Sequence, residues 1–132
     1  MTELTPAQRE FLESPYIGIA TTLRADGSPH STVVWVDVDD GVVSFNTAWP
    51  RAKPRNLERD PRVSLVVVDP SDELRWIGIT GTATLSEEGA NDQIDRLARK
   101  YRGHDRYMSH REGETRVSVR ISPSWIEARG IG

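Results

Sequence analysis

The chain has 132 residues, 36% hydrophobic and 28% charged, which suits one domain spanning residues 1–132 and leaves little room for a second core. It has no cysteine, which excludes disulfides, thiolate nucleophiles and cysteine-held zinc or iron–sulfur centres. A net charge of −3 argues against a general nucleic-acid binder; no apolar run approaches the roughly 20 residues that cross a bilayer, and the polar start Met1–Glu10 has no signal-peptide core, so no membrane partner and a cytoplasmic location are expected.

Thr5-Pro6-Ala7-Gln8 reads as a helix start, with Thr5 as cap, Pro6 at the first helical position and Gln8 closing a capping box. Tyr16 to Leu23 favours a strand, and Ala25-Asp26-Gly27 supplies a tight turn into a second arm, His30 to Val38. In that arm Val34, Val36 and Val38 share one face, with Trp35 and Asp37 on the other. After Asp39-Asp40-Gly41 come a third strand, Val42 to Thr47, and a short helix, Pro50 to Asp60, stopped by Pro61.

Val63 to Val68 is nearly all apolar and reads as a strand buried on both faces. A fifth strand, Leu74 to Leu85, carries Gly78 and Gly81, which mark a bulge, a bend or close approach of another backbone. Between Ser86 and Tyr101, Ala90, Ile94, Leu97, Ala98 and Tyr101 recur at helical spacing. Arg116 to Ile121 alternates as a strand and resumes at Trp125 after Pro123. About six antiparallel strands with two or three helices define a mainly β, α+β or closed-barrel architecture.

The segment Pro50-Arg51-Ala52-Lys53-Pro54-Arg55-Asn56-Leu57-Glu58-Arg59-Asp60-Pro61 concentrates basic residues where a strand passes into a helix. Free amides at a helix start, beside Arg51 and Lys53, are suited to hold a phosphate, with Asn46 and Thr47 as further donors. A solvated helical face with Arg55 and Glu58 partly paired explains the same residues. His30, His104 and His110 lack metal-ligand spacing, so no metal is expected. There is no Gly-x-Ser-x-Gly elbow for hydrolysis, and Gly78-Ile79-Thr80-Gly81 lies within a strand, where a nucleotide-binding loop does not form.

The order Gly27-Ser28-Pro29-His30, then Asn46-Thr47, then Pro50-Arg51-Ala52-Lys53 with Asn56-Leu57 and Asp60-Pro61, resembles the pyridoxamine-phosphate-oxidase-like split β-barrel superfamily. The resemblance extends through Trp76-Ile77-Gly78-Ile79-Thr80-Gly81-Thr82-Ala83 and covers nearly the whole chain. Within the superfamily the chain looks most like the branch that uses the deazaflavin coenzyme F420, with flavin mononucleotide (FMN) as the alternative cofactor. That resemblance implies a homodimer with the cofactor at the interface. It implies that Arg51, Ala52 and Lys53 bind its phosphate with Asn46, Thr47 and Asn56, and that Ser31, Thr32 and Val33 line its ring.

Trp76 matches an aromatic position that the partner subunit offers near the cofactor, and barrel packing is its other reading. Where relatives carry polar side chains facing the ring, this chain has Val33 and Trp35. The implied activity is hydride transfer from the reduced deazaflavin to an electron-poor small molecule such as an enone, conjugated alkene or quinone. An FMN-dependent reductase or oxidase and a non-catalytic cofactor carrier are the rival readings. Arg55, Arg59 and Arg62 either follow the coenzyme's oligoglutamate tail or form a solvated face balanced by Glu58 and Asp60.

Overall fold

The computed structural model describes residues 2–132. Thr5 caps α1 (Pro6–Glu13) as its sequence demands: its Oγ1 accepts the Gln8 amide at 3.1 Å and its own amide donates to Gln8 Oε1 at 3.0 Å. Phe11 and Leu12 on this helix enter the core. The first hairpin is β1 (Gly18–Leu23) and β2 (Pro29–Val34), turning at Gly27 with its φ of 84°. The expected second arm then divides. Val36–Asp39 leaves β1 and pairs instead with Val42–Trp49, making β3 and β4, with Trp35 alone between the two pairings.

This change of partner gives seven strands where about six are expected, and it shapes the barrel. After α2 (Ala52–Arg59) come β5 (Arg62–Asp69), β6 (Asp72–Ser86), α3 (Ala90–Arg102) and β7 (Thr115–Arg129). All strand pairs are antiparallel, in the order β2-β1-β5-β6-β7-β4-β3. The sheet's two end strands are consecutive in the chain, so the sheet curls until its edges meet at Trp35 and part again beyond it. That is a split β-barrel. Its interior is filled by Phe45, Leu65, Val67, Ile77, Ile79, Val119 and Ile121, with Val36 beside them.

Expected and observed elements differ elsewhere too. The strand expected to be buried on both faces, now β5, alternates: Val63, Leu65 and Val67 point inward, while Val66 and Val68 are 43% and 39% exposed. An all-apolar run does not distinguish a two-sided interior from a strand with one unpartnered apolar face. The last two strand segments are one, because β7 runs on through Pro123 opposite Gly81, where the register shifts. There the Ser122 and Pro123 backbone lies too close to Gly81 for a β-carbon to fit, which is the close approach the glycine permits. Both helix starts move inward, to Ala52 and Ala90.

α2 packs on β4, β1 and β6, and α3 on β7, β3 and β4. Because α3 covers the far side of β7, Arg116, Val117, Ser118 and Val119 are buried in succession rather than alternately. No helix among the described residues is long and apolar enough to cross a membrane.

Candidate active site

A cleft of about 540 Å³, counting space open to solvent, lies between β2, β4 and the cover formed by α3 and its following loop. One wall is apolar, built from Val33, Val34, Trp35, Ile94 and Leu97, and the other carries Asn46, Arg51, Lys53 and Arg116, with Tyr107 closing over them. Trp35 is fixed where the strand pairings change, its ring stacked on Tyr101 at 5.4 Å and 8° and meeting Tyr107 edge-on at 6.1 Å. Tyr101 is itself anchored, accepting the Val36 amide at 2.9 Å and donating to the Tyr16 carbonyl at 2.7 Å. Burial pushes its hydroxyl up to about 12, so it stays a donor at any ordinary pH.

The cationic corner comes from the β4–α2 junction. Arg51 is the N-cap of α2 in extended backbone, with no side-chain cap on the helix. Pro54 has no amide hydrogen, so the free donors of the first turn are the Ala52 and Lys53 amides. Burial, then the charges of Arg51 and Arg116, pull the Lys53 ammonium below its ordinary value. Such a cation gains most from an anion.

Glu114, one residue before β7, organises the two arginines. Its Oε1 accepts from Arg51 Nε at 2.9 Å and Nη2 at 2.7 Å, and its Oε2 from Arg116 Nη2 at 3.2 Å. Burial alone would raise the Glu114 carboxyl, but the hydrogen bond and charge of Arg51, with Arg116 and Arg111, hold it below the usual range.

The expected site residues divide into groups. Val33, Asn46, Arg51 and Lys53 line the cleft together, with Ala52 supplying backbone between the two cations. Asn46 is already engaged: its Nδ2 donates to Ala90 O at 2.8 Å and Gln93 Oε1 at 2.9 Å, tying β4 to α3. Thr32 and Thr47 each keep a buried Oγ1 without a partner, and Thr47 is only 1% exposed. Ser31 faces outward and shares a 2.8 Å hydrogen bond with Thr21.

Asn56 is placed away from the cleft, its Nδ2 donating to Thr22 Oγ1 at 3.0 Å and its Oδ1 accepting from Arg59 at 3.0 Å. Trp76 stands on β6 opposite Val68, outside the cleft of its own chain. Arg59 is turned onto the Leu23 carbonyl and Arg62 is paired with Asp60, which leaves Arg55 as the one of these three with no polar partner among the described residues.

Sequence reasoning missed Arg116, Glu114, Tyr107, Ile94 and Leu97 as site residues. A signal for Ile94 and Leu97 was present, since an amphipathic helix must cover something. Nothing in the order of residues placed the loop after that helix over the cleft.

A split β-barrel with a cationic corner where a strand enters a short helix defines the class, and the chain belongs to the pyridoxamine 5'-phosphate oxidase family, whose profile matches residues 4–130. Over 105 residues, 76% of this chain and 74% of the other, it is 30% identical to the F420H(2)-dependent biliverdin reductase of Mycobacterium tuberculosis. Among solved structures it resembles an F420 reductase, with TM-score 0.79, 24% identity and coverage of 94% of this chain and 98% of that one. It also resembles the conserved hypothetical protein Rv2991 of M. tuberculosis, with TM-score 0.75, 27% identity and coverage of 96% and 84%.

Proposed function

We propose that this protein is an F420-dependent reductase that holds the deazaflavin by its phosphate at Arg51, Lys53 and the free amides of α2, with the ring against Val33 and Trp35. The observation that carries this reading is the pairing, in one cleft, of an under-neutralised cationic corner with a flat apolar wall. Similarity to a reductase named for F420H(2) selects the deazaflavin over FMN.

When bound, the reduced coenzyme supplies a hydride for an electron-poor acceptor such as an enone, conjugated alkene or quinone. The chain's own contribution is positioning. Arg51 and Lys53 fix the phosphate end, Trp35 sets the plane of the ring, and Tyr107 with α3 excludes water. No acid–base pair is required of the protein, because the proton that completes reduction comes from solvent or a nearby hydroxyl.

The functional unit in this reading is a homodimer. Val33, Ile19 and Val66 stand side by side across β2, β1 and β5 on the outer face of the sheet, with Ile17, Val68 and Trp125 on the same exposed surface. A second copy would cover that face and, since Val33 also lines the cleft, reach the cofactor. Titrating cofactor-free protein with oxidised F420 and with FMN, followed by quenching of tryptophan fluorescence, tests the reading. Tighter binding of F420 is expected, and tighter binding of FMN overturns the choice of cofactor.

A further inference from the structure

Arg116 is the most deeply buried cation of the cleft. Its side chain is 4% exposed, yet of its five N–H donors the structure partners only two, Nη1 with Asn46 Oδ1 at 3.3 Å and Nη2 with Glu114 Oε2 at 3.2 Å. Both lie at the long end for such bonds. Its Nε is buried without a partner. A buried cation with idle donors is costly unless something completes its shell.

The surroundings say what that something is. The guanidinium lies 4.7 Å from the centre of the Tyr107 ring, and the same cleft is lined by Trp35 with Ile94 and Leu97. Charge bookkeeping narrows it further. Arg51, Lys53 and Arg116 face one paired carboxylate, Glu114, leaving two positive charges. The phosphodiester of the deazaflavin neutralises one, and the second remains at Arg116.

We propose that Arg116 selects the hydride acceptor, forming with Trp35 and Tyr107 a seat for a planar conjugated molecule that carries a carboxylate. This rests on the deazaflavin reading, in which the phosphate occupies the Arg51 and Lys53 corner. The carboxylate takes Nε and the adjacent Nη of Arg116, and the conjugated body lies against Trp35.

The test uses 2-naphthoate and its neutral counterpart 2-naphthamide, titrated calorimetrically into the full chain saturated with oxidised F420. Naphthoate should bind at least about tenfold more tightly, equivalent to about 1.4 kcal/mol. Arg116→Gln should erase that preference while leaving naphthamide affinity unchanged, and Arg116→Lys should restore part of it. In cofactor-free wild type, saturating inorganic phosphate should leave naphthoate affinity within about twofold, because the two anions occupy different cations.

Equal affinity for the two probes in wild type, a preference that survives Arg116→Gln, or displacement of naphthoate by phosphate each overturns the proposal. If F420 does not bind, the cofactor reading fails by itself, and the phosphate competition still judges Arg116. Should Arg116→Gln not fold, the same competition and Arg116→Lys decide the matter.

Discussion

Lys53 and Asn56 lie three positions apart on one short helix and do opposite work. Lys53 faces the cleft with its charge poorly accommodated, whereas the Asn56 amide is buried and bonded at both ends. Lys53→Ala or Arg51→Ala should each weaken cofactor binding by about 1.5–3 kcal/mol, the range for a hydrogen bond to a charged group. The unliganded melting temperature should change little in Lys53→Ala and fall in Arg51→Ala, which leaves the Glu114 carboxylate without its nearer partner. Fluorescence titration checks the first effect and calorimetry the second, and wild-type affinity in both variants would remove the anion corner. Asn56→Ala should do the reverse, costing about 1–3 kcal/mol of stability by orphaning Thr22 and Arg59 while leaving cofactor affinity intact. A loss of affinity without a loss of stability in that variant would place Asn56 against the ligand after all.

At the scale of the elements, α3 is held to the barrel by a half-buried lysine. Lys100 Nζ donates to the Leu12 carbonyl at 2.7 Å and the Val36 carbonyl at 2.6 Å, joining α3 to α1 and β3. Burial lowers it to about 8 from 10.5, with Asp37 and Glu13 opposing the shift. The unfolded chain therefore keeps this proton over a window, from about 8 to 10.5, in which the folded chain releases it. Folding stability contributed by this group rises with pH through that window and is at its least below it. Urea unfolding of wild type and Lys100→Met between pH 7 and pH 10 should show wild type gaining on the variant as pH rises. A constant difference would mean that Lys100 titrates as it does in water.

The elements also show what was legible in the sequence. α1 was readable to the residue because capping is local chemistry: Thr5, Pro6 and Gln8 suffice. That Arg51 and Lys53 stand together was readable from the strand-to-helix junction, but the same residues fit a solvated face equally well, and only the family resemblance made them a candidate site. The break at Trp35 was not readable, because each half of the arm alternates correctly and only the identity of the pairing partner changes. Arg116 was hidden for a related reason. On a strand whose polar face should be solvated, nothing local reveals that a helix from elsewhere lies over it.

For the molecule as a whole, the outer apolar face is the largest feature that a single copy leaves unexplained. Val66→Asp, in the middle of the row formed with Ile19 and Val33, should turn a dimer into a monomer by placing an unpaired charge in an apolar interface. It should weaken cofactor binding as well, because the cleft borders that face through Val33. Sedimentation at micromolar concentration reads the first effect, and a wild type that sediments as a monomer removes the dimer.

The strand order carries one more consequence, for how the molecule comes together in time. β2, β1, β5 and β6 form one run of neighbours and β3 with β4 another, and only β7 touches both. Until β7 inserts, the chain holds two separate sheets connected through Trp35 and through α2, each with an open edge. Closing them needs contacts between residues far apart in sequence, the kind that slows folding most. Until synthesis reaches β7, those edges stay bare on the ribosome, open to pairing with other chains. Because Arg116 rides on β7, the cleft gains its third cation in the same event that seals the barrel.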